Sequence, residues 1–225
     1  MNADTAFEQS RTLYERAIFA GDQEALIQAR RLLDEVAAGL ALASGRIMHG
    51  EFLLARTQDR DQAKENPEEL PSFEHAATLY QAIGDQRGEA EALFWIGCCH
   101  QVVRRDNDAA VPVLERALSL ATQVGDQATM GEALRHLGIA EHAAGRHDQA
   151  RARLEESTAL WRQIGQRAGV AANLVGLAYV AISEQRQPDA LGYLDEAATL
   201  ADEAGAPLIK HHIDVARTRA TDAGC

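Results

Sequence analysis

Apolar and polar positions alternate along this chain in stripes of helical length, and the stripes come in pairs. Leu134, Leu137, Gly138 and Glu141 follow three-and-four spacing and predict one helix face. Gly145-Arg146-His147-Asp148 interrupts it, with a glycine suited to the left-handed residue after a helix and Asp148 suited to cap the next. A second stripe, Ala150, Leu154, Ser157 and Leu160, runs on to Gly165.

The same pair recurs on either side. Leu93, Ile96 and Gly97 precede Ala110, Leu114, Ala117 and Leu120; Leu174, Leu177 and Ala178 precede Ala190, Leu194, Ala197 and Leu200. Gly125, Gly165 and Gly205 stand 40 residues apart, as do Leu114, Leu154 and Leu194. A period of this size marks stacked helix pairs, each burying its apolar face against its neighbours. Gly97 to Gly138 is 41 residues, which places one extra residue in the internal turn of that pair. Turns are expected at Asp106-Asn107-Asp108 and Gln187-Pro188-Asp189, and Asp85 and Asp126 are expected to cap the helices that follow Gly84 and Gly125. Small residues at Gly97, Gly138 and Ala178 are read as facing Ala110, Ala150 and Ala190 across each pair.

Before residue 69 the register is lost. Leu13, Ala17 and Ala20 predict a helix closed by Gly21-Asp22; Ala25, Ala29, Leu32, Leu33 and Val36 predict another. Leu40, Ala43, Ile47, Gly50 and Leu54 carry an apolar stripe past Gly39. Asp59 to Pro71 reads as a long turn, after which Phe73, Ala76 and Leu79 resume the pattern. Pro207 opens a last helix with Leu208, Ile209, Ile213 and Ala216. The expected organisation is a degenerate helical segment at 1–68, regular repeats at 69–205, and a capping helix with tail at 206–225, about five pairs plus the cap and roughly eleven helices in all.

Composition sharpens this all-α reading. Aromatics are only 5% of a chain that is 46% hydrophobic, which suits close helix packing. A net charge of −12 argues against nucleic acid and against an anionic membrane surface. Met1-Asn2-Ala3-Asp4 has no secretory character, and no apolar run approaches the ~20 residues that span a bilayer. Cys98 and Cys99 are helical neighbours that diverge, so these and Cys225 are expected to be reduced in a cytoplasmic chain.

Catalytic signatures are missing. There is no phosphate loop, paired C-x-x-C, H-E-x-x-H or G-x-S-x-G pattern. His136 and His142 are six apart on different faces, His211 and His212 diverge, and His147 sits in a turn, so no metal site is expected. Glu68-Glu69 and Glu155-Glu156 read as exposed rim charge. No cofactor is expected.

Leu134-x-x-Leu137-Gly138 and Ala150-x-x-x-Leu154 match, in order and spacing, the pattern of the tetratricopeptide repeat family, which the chain resembles from about residue 69 to 205. The period is 40 where 34 is usual, the terminal proline is missing, and His100, Glu141 and Ala181 stand where tyrosine is common. The longer period is similar to the extended repeats of bacterial regulators and adaptor proteins. The resemblance implies a right-handed superhelical solenoid of antiparallel helix pairs, whose first helices line a concave groove. By position that groove would display Phe94, Cys98 and Gln101, then Arg135, Ile139 and His142, then Val175, Tyr179 and Ile182. The Lys and Asn of carboxylate-clamp members are replaced by Arg135 and Ile139. The implied function is a non-enzymatic scaffold or adaptor that holds a peptide or protein partner in the groove. The alternative is a small-molecule binder or enzyme using the same groove as a pocket. Self-association through an exposed apolar face is a further expectation.

Overall fold

The computed structural model describes residues 3–59 and 63–222, so Cys225 lies outside the described residues. These residues form ten α-helices and no strand: α1 (Ala3–Ala20), α2 (Gln23–Gln58), α3 (Glu69–Ile83), α4 (Gln86–Cys98), α5 (Asn107–Val124), α6 (Gln127–Ala143), α7 (His147–Gln163), α8 (Arg167–Ser183), α9 (Gln187–Glu203) and α10 (Pro207–Asp222). Ten stand where roughly eleven were expected, because α2 continues unbroken for 36 residues through Gly39. The long turn also ends earlier than Pro71. The α3 helix begins at Glu69, and Pro71 sits in its first turn, where amide hydrogens have no internal acceptor.

Two compact units divide the chain, Met1–Val113 and Leu114–Cys225. In the second, helices start at Gln127, His147, Arg167, Gln187 and Pro207, a step of 20 that is half the sequence period. Three-residue turns join them, short enough to make successive helices antiparallel neighbours. Each turn closes with one long backbone bond: the amide of Arg146 donates to Glu141, Gln166 to Trp161, Arg186 to Ala181 and Ala206 to Ala201, at 2.8–3.0 Å. That geometry needs a left-handed residue in the middle of the turn. Gly145, Gly165 and Gly205 supply it, and in the remaining turn Gln185 adopts it at φ 59°.

Asp85 caps α4 as expected, accepting from the Gly88 amide at 3.0 Å. Three other expectations fail. Asp126 makes no side-chain bond to the backbone of α6 and accepts instead from Thr129 Oγ1 at 2.9 Å. Asp148 lies within the first turn of α7, whose N-cap is Arg146, and Gln187-Pro188-Asp189 lies inside α9. The helices begin immediately after the left-handed turn, which leaves no room for a separate capping residue further on.

The extra residue between Gly97 and Gly138 is not in the turn. It is absorbed by a π-turn, Cys99–Val103, continuing from α4, in which the Arg104 amide donates to Cys99 five residues back. One inserted residue widens a helix in this way when flanking contacts hold both ends in register.

Packing in the second unit is a pair of knobs set between glycines. Leu154 of α7 fills the space beside Gly138 of α6 and Gly176 of α8; a Cβ at Gly138 would lie 2.9 Å from Leu154 Cγ and 3.2 Å from the Ala150 carbonyl oxygen. Seven residues on, Trp161 lies between Gly131 of α6 and Gly169 of α8, where added Cβ atoms would come within 2.9 and 2.8 Å of its ring. The glycines face these rings and branches because any side chain there would collide. The buried stripe of α7 is thus Ala150, Leu154, Ser157 and Trp161, with Leu160 only half-buried. Ala121 and Ala201 likewise replace Leu120 and Leu200 as the buried positions. Between the knobs, Ser157 Oγ donates to the Gly131 carbonyl at 2.6 Å and receives from Asn173 Nδ2 at 2.7 Å, tying α6, α7 and α8. The first unit repeats the device on α3, with Phe73 against Gly45 of α2 and Tyr80 against Gly88 of α4.

Candidate functional face

The nine residues read as lining a groove divide between the two units. In the first unit Phe94, Cys98 and Gln101 are all buried. The Phe94 ring packs on Trp95 with centroids 5.0 Å apart, and Gln101 Nε2 donates to Asn107 Oδ1 at 3.1 Å. Cys98 Sγ lies 3.6 Å from His49 Nε2. Glu69, expected at an exposed rim, is fully buried against that same His49, because the first turn of α3 directs it onto α2.

In the second unit Val175 is buried, Arg135, His142, Tyr179 and Ile182 are half-buried, and Ile139 is exposed. The α6 and α8 residues keep one register. Arg135 and Val175, Ile139 and Tyr179, and His142 and Ile182 are each 40 apart. Continuing the step reaches Val215, Arg219 and Asp222 on α10, so the last helix occupies the place of another first helix. The period itself points to Arg219, which a reading of α10 as a cap leaves out. Its guanidinium lies over the Tyr179 ring, 5.5 Å from the centroid.

The polar end of this face is built around His142. Its Nε2 is 3.0 Å from Ser183 Oγ, and its ring centroid is 5.6 Å from that of His147. Burial, and then the charge of His147, hold the imidazole below its ordinary value, with a hydrogen bond to the Tyr179 backbone acting the other way. At neutral pH it is therefore an uncharged hydrogen-bonding group. Arg135 is weakly engaged within the chain, 4.0 Å from Glu132 and 3.4 Å from His136 Nε2. The face thus offers aliphatic and aromatic surface with a guanidinium at Arg135 and another at Arg219. Close by, Glu184 bridges Arg151 and Arg186; its burial is outweighed by those two cations, which keep the carboxyl below the usual range.

A family model described as tetratricopeptide repeat matches residues 100–163 and 129–203. Residues 100–203 are thus similar to tetratricopeptide repeats. Repeats of this family mediate protein–protein interaction, and the match covers α5 to α9 together with Arg135, Ile139, His142, Val175, Tyr179 and Ile182. No curated protein matches the chain. Among the described residues no helix is long and apolar enough to cross a membrane, and no group of three or more His, Cys, Asp or Glu side chains could hold a metal ion.

Proposed function

We propose that the second unit is a non-enzymatic scaffold that binds a peptide segment across α6, α8 and α10. The observation that carries this reading is the register of Ile139, Tyr179 and Arg219: three successive first-helix positions, 40 residues apart, none of them buried although both chain neighbours of Ile139 and of Tyr179, and Ala220 beside Arg219, are. Aliphatic side chains of a partner would sit against Ile139, Tyr179 and Ile182. An acidic group would pair with Arg135 or Arg219, since guanidinium binds carboxylate in bidentate fashion. The neutral His142 would donate or accept one directional bond beside them.

The test is an array of short peptides graded in aliphatic and acidic content, probed with wild type, Ile139→Glu and Arg219→Glu. Both altered side chains are exposed, so thermal unfolding should stay close to wild type while retention of aliphatic-acidic peptides is lost. Undiminished binding by both variants would place the partner elsewhere. Tyr179→Ala is a poorer probe, because Tyr179 packs against the core of this unit and its loss would also lower stability.

A second reading, self-association, is favoured by α2. Leu26, Leu33, Leu40, Ile47 and Leu54 recur every seven residues and are all exposed. A strict heptad stripe of this length suits pairing with another helix. Sedimentation of wild type beside Leu40→Glu decides it: a larger species reduced to monomer by the substitution supports pairing, and a monomer at high concentration refutes it.

A further inference from the structure

The first unit buries a set of side chains for which the scaffold role has no use. Glu69 opens α3 facing inward, and its Oε1 lies 2.8 Å from His49 Nδ1 on α2. In the tautomer that donates from Nδ1 to this carboxylate, Nε2 keeps a lone pair. That lone pair meets the Cys98 thiol of α4 at 3.6 Å. Trp95 closes the imidazole edge-on at 5.4 Å between centroids, and Phe73 stacks on Trp95 at 5.6 Å. Three helices therefore hold thiol, imidazole and carboxylate in one hydrogen-bonded line, among residues that no catalytic motif in the sequence brings together.

We propose that Cys98, His49 and Glu69 form an activated-thiol site at which Cys98 reacts with small hydroperoxides. Transfer of the Cys98 proton to His49 leaves a thiolate beside an imidazolium that Glu69 neutralises, so the buried net charge does not change. The thiolate attacks the distal peroxide oxygen. An S–O bond forms as the O–O bond breaks, two electrons pass from sulfur to the peroxide, and the departing alkoxide or hydroxide takes the proton from His49. The products are a sulfenic acid at Cys98 and an alcohol or water.

Cys99 is the internal contrast. Its burial, and then the charge of Glu69, push its thiol up to about 12, which keeps it protonated and unreactive. Its thiol also hydrogen-bonds to Glu69, and neither cysteine is in a disulfide. Cys98 is 4% exposed, which restricts the reaction to small reagents. It ends α4 where the helix widens into the π-turn. This site lies in the first unit and does not depend on the peptide-binding reading of the second.

The experiment treats the folded chain with hydrogen peroxide, stops the reaction with catalase, and alkylates the remaining thiols after unfolding. Fragment-ion mass spectrometry then reads Cys98 and Cys99 separately. Cys98 should be consumed roughly tenfold faster than Cys99 in the folded chain, and the ratio should fall to about one in urea, where neither has neighbours. In His49→Gln the ratio should also fall, with native helicity by circular dichroism. Equal consumption in the folded chain, or an unchanged ratio in folded His49→Gln, would overturn the assignment. If His49→Gln does not fold, the wild-type ratio with and without urea decides alone.

Discussion

Leu154→Ala probes the packing device that organises the second unit. Leu154 is 1% exposed, and the three carbons removed are worth about 2–2.5 kcal/mol in transfer free energy at about 0.8 kcal/mol each. The cavity adds to this, because the facing positions on α6 and α8 are Gly138 and Gly176, with no side chain to swing into the gap. The total should fall in the upper half of the range of about 2–5 kcal/mol for such truncations. Gly138→Ala alone should cost about 1–3 kcal/mol, since its Cβ would lie 2.9 Å from Leu154 Cγ. Combined, the new methyl enters the space that Leu154 vacates, and only its 3.2 Å approach to the Ala150 carbonyl oxygen remains. The double variant should therefore be less destabilised than the sum of the two by about 1–2 kcal/mol. Urea unfolding followed by circular dichroism measures all four forms. Hydrogen exchange on α6 to α8 checks that the loss is local, because stacked repeats need not unfold as one body. Additivity to within about 0.5 kcal/mol would refute the knob-between-glycines account.

The left-handed Gln185 should be relieved by Gln185→Gly, raising stability by about 0.5–1 kcal/mol, while Gly165→Ala should cost about 1 kcal/mol; thermal melts with both signs reversed would reject the turn assignment. His142 is held below its ordinary value of 6.5, so as pH falls the unfolded chain takes up the proton first and stability drops progressively below about 6.5. In urea titrations between about pH 7 and about pH 5, His142→Gln should flatten that decline, and an unaltered slope would show that other groups cause it. Glu69→Leu should cost about 1–3 kcal/mol by leaving the buried His49 Nδ1–H without an acceptor, whereas Glu69→Leu combined with His49→Leu should cost less than those two single changes summed; strict additivity in urea melts would deny the pairing.

The repeat length, the glycine stops at Gly125, Gly165 and Gly205, and the apposition of Gly138 with Ala150 were legible from spacing alone, because they depend on local backbone geometry and a helical period. Arg135, Ile139 and His142 share one helical spacing, and the structure leaves Arg135 and His142 half-buried and Ile139 exposed. Arg219, 40 residues beyond Tyr179, is equally accessible to the period. Other features depend on which neighbours a residue meets. Three-and-four spacing from Ser157 allows either Leu160 or Trp161 as the next buried position. The glycines of α6 and α8, at 131 and 169, choose the tryptophan. Helix periodicity cannot say where one surplus residue goes, since a turn and a π-turn lengthen the chain alike; the structure has it at Cys99–Val103. Glu69 looks like rim charge in any one-dimensional reading. It is buried because His49, 20 residues earlier, stands opposite it on α2, and a charge can leave water only where the fold supplies such a partner.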